Sequence, residues 1–467
     1  VTDKYGKDLV RALIAAINSG DPAELTAFLT VAWQGDLPSP PTPARPESSA
    51  DPATAAVNLL AMAKSTGELM IMSIDADGTN RIRCLLFAPL IRNWYELTVR
   101  IGDDSTVDAF DLEPASAPDW LPAEGNLDSR ITQATSYLQE LWDADLFSGV
   151  VRLTQADDVL YESAYGWADR ETERPNLSGT PFNVGSMNKM MTSVCIGQLA
   201  EQNLLDLDDT VATHLPGFRL DLTSRITIRQ VLHHTSGLGD FFNDRFFAGA
   251  RETLETVDDH LALIHDDPLL FEPGSRFQYS NGGFIVLGAI IEAKTGRSYF
   301  DYVREHVFDV ARMTASRFPS ADELTDEAIG YTNYTAAGAV VGPRVPHLDT
   351  LPRRGAPAGG GYCSAIDLTR FGDALRNDRL VGAKVKATLL DSTDGISRIG
   401  GALYTLGFQV HTEHDVVSYG HGGGGPGISS FLDVFPDQDR SLVALSNYDS
   451  GARNIRAELR RIFWPAD

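Results

Sequence analysis

The chain of 467 residues carries 64 acidic side chains against 39 basic ones, a net charge of −25. That length gives room for two domains, each with its own core, and that charge excludes nucleic acid and anionic membrane surfaces, which would repel it. The longest apolar run, about eight residues from Phe284 to Ile291, falls far short of the ~20 that span a bilayer.

From the N-terminus, Leu9, Val10, Leu13, Ile14 and Ile17 recur at helical spacing and predict a helix over Asp3–Asn18. Asp21-Pro22 opens a second helix through Leu29, a Pro-rich loop follows from Leu37 to Pro52, and Thr54–Lys64 reads as a third helix. Strands are expected at Glu68–Ile74 and Asn80–Phe87 around an Asp77-Gly78 turn. Trp94–Ile101 alternates, with Tyr95, Leu97, Val99 and Ile101 on one face. Helices followed by an antiparallel meander resemble the cone-shaped nuclear transport factor 2-like and steroid isomerase-like domains. No buried Asp or His stands out there as a catalytic group, so the expected role is packing or homodimerisation. No signal peptide is visible in residues 1–20. The start at Val1 rather than Met is compatible with a removed leader and export to the periplasm or medium, and a cytoplasmic location is the alternative. Cys84, Cys195 and Cys363 are odd in number and widely spaced, which excludes a disulfide framework.

Pro114–Asn126 reads as a linker, dividing an accessory region, 1–125, from a larger domain, 126–467. Beyond it Ile131–Leu141 is helical and Phe147–Leu153 pairs with Val159–Tyr165. Near the other end Ile428–Phe435 and Leu442–Asn447 form a second hairpin before a closing helix, Ile455–Trp464. The expected plan is α+β: an antiparallel sheet built from both ends of the domain, covered by its first and last helices, with a helical region inserted between.

Chemistry concentrates in three places. Ser186-Met-Asn-Lys189 contains the one lysine of seven with a serine three residues before it, and it opens the mostly apolar run Met190–Leu199. A helix start offers free N–H groups and positive potential to an anionic oxygen. One turn on, Lys189 reaches the same face and, if desolvated, can serve as the base a serine nucleophile needs. The bland alternative is an N-cap serine and a surface lysine. Tyr279-Ser280-Asn281 sits in a turn before the apolar helix Phe284–Ile291, so a phenol and an amide face one spot. Tyr419-Gly-His421-Gly422-Gly423-Gly424 leads into the strand from Ile428; glycines on a strand edge let substrate lie against backbone and leave an N–H for an oxyanion.

Ser-x-x-Lys, Tyr-x-Asn and His-x-Gly in that order resemble serine β-lactamases and penicillin-binding proteins, and more narrowly the group of class C β-lactamases, D-alanyl-D-alanine peptidases and family VIII esterases. The segments Asn203–Thr210, Val231–Leu238 and Ala358–Ser364 look like that group's connecting links, and the likeness covers about residues 128–467. Two decoys are set aside. Lys294-Thr295-Gly296 ends a helix, its glycine reading as a C-cap, and Tyr331-Thr-Asn333 is followed by loop rather than helix.

The resemblance implies a β-lactamase/transpeptidase-like fold and two-step acyl transfer without a cofactor. Ser186 would attack a carbonyl, with Lys189 and Tyr279 relaying its proton and Tyr279 acting as a phenolate-like base of lowered pKa. The N–H groups of Ser186 and Gly424, beside Gly423, would receive the oxyanion. Asn281 would hold Lys189 and a substrate amide oxygen. His421 stands where class C β-lactamases have lysine, which weakens any preference for anionic β-lactams. A small-molecule ester or amide is therefore the expected substrate, with carboxylic ester hydrolysis first. D-amino-acid or DD-peptidase action, weak β-lactamase action, and a slowly acylating binding or sensing module are the alternatives. Adjacent His233 and His234 diverge, and His411 and His414 fit a polar turn, so no metal site is expected.

Overall fold

The structure is a computed structural model and describes residues 2–33, 51–76, 78, 80–102, 106–118, 121–335, 338–340, 342–391, 397–399 and 401–464. The expected Pro-rich loop therefore lies almost wholly outside the described residues, as does Asp77 of the first turn.

Helices Thr2–Ser19, Pro22–Ala32 and Pro52–Ala63 precede an antiparallel meander. Asp21 and Asp51 cap the second and third helices by accepting N–H bonds from Ala23 and from Ala53 and Thr54, with proline at the first helical position. The meander joins strands Met70–Ala76, Arg81–Ala88, Asn93–Ile101 and Val107–Ala115 in sequence order. The alternation of the third strand holds: Leu97, Val99 and Ile101 are buried while Glu96 and Arg100 are exposed. Its fourth partner was not expected, and it extends two residues into the segment read as linker. Pro114 is tolerated because this strand lies at the edge of the four-stranded sheet. The cavity inside this layer measures only about 10 Å³ and is lined by apolar side chains such as Leu13, Leu59, Leu86 and Leu97, too little space for a ligand.

Among the described residues the larger sheet has eight strands, every neighbouring pair antiparallel. In spatial order they are Arg398–Ile399, Ala402–Tyr404, Gln409–Glu413, Val416–Gly425, Ile428–Phe435, Arg440–Ser446, Gly149–Gln155 and Asp158–Tyr165. Strand 440–446 pairs with strand 149–155, so both ends of the domain build one sheet, as the α+β reading requires. Side-chain alternation divides its two faces. Val150, Leu432, Val434, Val443 and Leu445 pack on the inserted helical region. Val151, Leu153, Phe431, Leu442 and Ala444 pack with helices Leu127–Asp143 and Gly451–Ile462.

The N-terminal layer joins that second core through Leu60, Leu86 and Ile91. Polar bonds fix the join. Tyr137 donates to the carbonyl of Ile91 at 2.9 Å, Asn454 to Ser65 at 2.6 Å and Asn93 to Asn454 at 2.7 Å, and Arg92 pairs with Glu458 at 2.7 Å.

Candidate active site

Ser186 lies in a 3-10 turn, Gly185–Met187, that runs directly into helix Asn188–Glu201. That helix is buried on all sides from Asn188 to Leu199, so the site grows from the centre of the domain. Gly185 has φ +51°, and a Cβ there would stand 3.0 Å from the Gly424 nitrogen and 3.3 Å from Gly423 Cα. The serine turn thus rests on the glycine strand at a distance only glycine permits. Strand 409–413 pairs with strand 416–425 only as far as Gly420. His421–Gly425 overhang it, held on the other side by Ile428–Leu432. This overhang is the backbone edge that the third motif needs.

The second motif arrives at the start of helix Asn281–Thr295. Ser280 caps it, accepting the N–H of Gly283 at 2.9 Å and donating to the carbonyl of Gly239 at 2.7 Å. The helix ends at Gly296, φ +66°, whose N–H bonds Glu292, so Lys294-Thr295-Gly296 is a helix C-terminus as expected. The other decoy is likewise structural: Tyr331-Thr332 is a short strand, and Asn333 donates to the carbonyls of Val340 and Gly342.

Lys189 is fully buried, and its Nζ lies 3.2 Å from Ser186 Oγ, 2.7 Å from Asn281 Oδ1 and 2.6 Å from the carbonyl of Ala358. Two of those partners only accept. A neutral amine satisfies both with its two N–H bonds and turns its lone pair to Ser186. Burial favours that neutral form, pulling the lysine down to about 7. The arrangement is therefore competent to take a proton from Ser186 near neutral pH.

Burial pushes the Tyr279 phenol well above its ordinary value, and the neighbouring Ser186 side chain opposes that rise only in part. The lowered pKa inferred from resemblance is thus corrected: Tyr279 is a neutral phenol. The physical reason is burial, which strips a phenolate of its solvent, and the negative charge of Asp240 adds to it; Lys189 Nζ stands over the ring, 4.7 Å from its centroid. His234 flanks the same ring at 4.2 Å and accepts the N–H of Ser280 through Nδ1, pinning the tyrosine's turn.

His421 is buried, and both of its ring nitrogens are occupied. Nδ1 bonds the carbonyl of Gly422, and Nε2 lies 3.1 Å from the Tyr404 hydroxyl. Since a carbonyl only accepts, Nδ1 carries the proton and Nε2 accepts from Tyr404. Burial, then the charge of Lys189, hold the imidazole down to about 3. His421 is more firmly neutral than its ordinary pKa suggested.

Two residues at the site escaped the sequence reading. Asp240 accepts N–H bonds from Asn281 Nδ2 at 2.7 Å, Asn281 N at 3.3 Å and Phe242 N at 3.1 Å. One amide hydrogen of Asn281, expected to meet substrate, is therefore already taken. A signal existed, since Asp240 is the lone acid in the otherwise apolar Gly237-Leu-Gly-Asp-Phe-Phe stretch. Tyr404 is the other, and only the pairing of distant strands brings it to His421. Among the described residues no cluster of three His, Cys, Asp or Glu could hold a metal. His411 instead accepts from Arg456 at 2.9 Å.

This fold, with a serine at the head of its central helix, defines a serine hydrolase of β-lactamase/transpeptidase-like architecture. The chain belongs to the beta-lactamase family, whose family model matches residues 134–463. It is 28% identical over 342 residues to penicillin-binding protein 4* of Bacillus subtilis strain 168, covering 69% of this chain and 73% of that one. It is also 28% identical over 332 residues to a D-aminopeptidase of Brucella anthropi, covering 67% of this chain and 58% of the relative. The crystal structure of a penicillin binding protein from Bacillus halodurans superimposes with a TM-score of 0.63 at 26% identity, covering 73% of this chain and all of that one.

Proposed function

We propose that the protein is a carboxylic ester hydrolase that works through an acyl-enzyme on Ser186. Lys189, as the free amine, takes the Ser186 proton while Oγ attacks the ester carbon. The carbonyl electrons move to oxygen, which faces the backbone N–H groups of Ser186 and Gly424 beside Gly423. As the tetrahedral intermediate collapses, the bond to the alcohol breaks. Tyr279 gives its phenolic proton to the leaving alkoxide and regains one from the Lys189 ammonium. Water then repeats the sequence on the acyl-serine and releases the acid. Asn281 orients Lys189 throughout.

The observation that carries the ester preference is His421, buried, neutral and bonded at both nitrogens. It offers no fixed positive charge to a substrate carboxylate, which favours uncharged acyl groups. A second reading, hydrolysis of D-amino-acid amides or peptides, is supported by the similarity to a D-aminopeptidase. Stopped-flow acylation and turnover on a nitrophenyl ester, a D-alanyl-D-alanine peptide and a D-amino-acid amide separate the two. The ester should give the highest kcat/KM, and Ser186→Ala should abolish it. Faster turnover of the peptide or amide refutes the preference, acylation without turnover points to a sensing module, and full activity in Ser186→Ala refutes the mechanism.

A further inference from the structure

We propose that Asp240 is a positioning residue of this site: by fixing the side-chain amide of Asn281 in one orientation, it keeps Lys189 available as the base for Ser186. The inference rests on the acyl-enzyme reading above and deepens it.

An asparagine amide has an accepting end and a donating end, and which end faces a lysine decides what the lysine can do. Asp240 settles the matter. A carboxylate only accepts, so the Asn281 end that meets Asp240 Oδ2 at 2.7 Å is Nδ2, and Oδ1 is turned to Lys189 Nζ at 2.7 Å. The reversed amide would set oxygen against carboxylate and N–H against amine. Lys189 would then have to spend its lone pair on Asn281, leaving nothing to receive the Ser186 proton. With the observed orientation its two N–H bonds go to Asn281 Oδ1 and the carbonyl of Ala358. The lone pair is left for Ser186 Oγ.

Asp240 is itself held rigidly. Its other oxygen accepts the Phe242 N–H, and Oδ2 also accepts the Asn281 backbone N–H. Ser280 donates to the carbonyl of Gly239, and that carbonyl would lie 2.5 Å from a Cβ on Gly282. The segment before Asp240 is thus pressed onto the first turn of the Asn281 helix, which sets the carboxylate beside the Asn281 amide.

The carboxylate also supplies charge: burial raises Asp240 from its ordinary value, and the N–H bonds from Phe242 and Asn281, then the charge of Lys189, oppose that rise and favour the ionised form. Groups that face Lys189 are the rings of Tyr279 and Phe284, the buried imidazoles of His234 and His421, and Asp240 behind Asn281. The two imidazoles and the phenol are neutral near pH 7 because burial opposes their charged forms. Asp240 is the group that opposes the loss of basicity burial imposes on Lys189. Without it, Lys189 holds its proton less tightly.

The test uses the full chain and an uncharged fluorophosphonate ester that labels Ser186, followed from pH 5 to 10, with Ser186→Ala as the blank. In Asp240→Ala the plateau labelling rate should fall at least about tenfold, the lower end of acid–base effects being set by losing orientation rather than the base itself. In Asp240→Asn, which keeps one acceptor, it should fall less. In both, the acid limb of the profile should move to lower pH, because the carboxylate that supports the Lys189 proton is gone. A helix-start acceptor with no further role would lower the melting temperature and leave the limb in place. An unmoved limb, or a plateau within about twofold of wild type in both variants, overturns the proposal. The wild-type protein gives a check independent of variant folding: the Asn281 side-chain amide should show exchange-protected NMR signals, and rapid exchange overturns the proposal too. Failure of wild-type Ser186 to label refutes the acyl-enzyme reading and this inference with it. A labelled wild type with unmoved variants refutes this inference alone.

Discussion

His421→Lys should move the substrate preference toward anionic β-lactams. With the imidazole held to about 3, only about one His421 in ten thousand is charged at pH 7. A lysine there starts from a far more basic group than imidazole and carries its charge when a substrate carboxylate pairs with it. At about 4 Å and an effective dielectric of about 20, that charge attracts a carboxylate by up to ~4 kcal/mol. Removing the ammonium from water offsets part of this gain. The expected change in the ratio of penicillin to ester kcat/KM is therefore about ten- to a hundredfold, or roughly 1.4–2.7 kcal/mol. The substitution also removes the Tyr404 bond to Nε2, a stability loss of about 1 kcal/mol. Steady-state hydrolysis of benzylpenicillin and a nitrophenyl ester at pH 7, wild type beside variant, reads the ratio, and thermal melting checks the fold. The reasoning fails if the ratio is unchanged in a folded variant. It fails equally if the wild type already hydrolyses penicillins more efficiently than short esters.

Lys189→Ala should cost at least about a hundredfold in ester turnover, whereas Lys294→Ala, at a helix end, should stay within about threefold; equal losses would restore Lys294-Thr295-Gly296 as the third motif. Wild-type acylation should rise with pH through about 7 as Lys189 loses its proton, and a flat profile from pH 5 to 8 would exclude Lys189 as base. The same lysine gives a stability signature. Its folded pKa lies below its unfolded value of 10.5, so the unfolded chain binds more protons between about 7 and 10.5, and this group's contribution to stability grows as pH rises across that window. The melting-temperature advantage of Lys189→Met over wild type should accordingly be larger at pH 7 than at pH 10, and an advantage that grows with pH would refute the depressed value. A chain cut to residues 126–467 should melt lower, because Leu138, Tyr137, Ile455 and Leu459 lose the apolar cover of residues 1–125. Whatever stays folded should still acylate with a small ester; a folded remnant that does not would place a catalytic contribution in the first 125 residues.

Much of the fold could be read from local pattern, because the pattern and the burial have the same cause. The hairpins at residues 149–165 and 428–446 and the two covering helices came from alternation and helical spacing that the packed faces reproduce. The strand Val107–Ala115 was missed because an edge strand has less need to be apolar: Asp108, Asp111, Glu113 and Pro114 look like loop until the pairing with 94–101 is known.

The site divides along a similar line. Residue types and their spacing reveal which groups can act, and Ser186, Lys189, Tyr279, Asn281 and His421 all carried that signal. Protonation state is set instead by whatever surrounds a group. The surroundings of Lys189 come from Asn281 and Ala358, 92 and 169 positions away, and those of His421 from Tyr404 on a strand two places across the sheet. The family resemblance therefore implied a phenolate at Tyr279, while burial in the packed site favours the neutral phenol and the neutral amine of Lys189. Asp240 follows the same logic. It is 41 positions from Asn281, and its effect on Lys189 passes through the orientation of one amide, which no pattern of residue types encodes. What chain pattern does encode is the glycine at 185 and, facing it on the strand, the glycine at 423. By letting the two backbones come within contact, they bring the serine turn and the strand edge together and so set the frame in which the titratable groups take their charge.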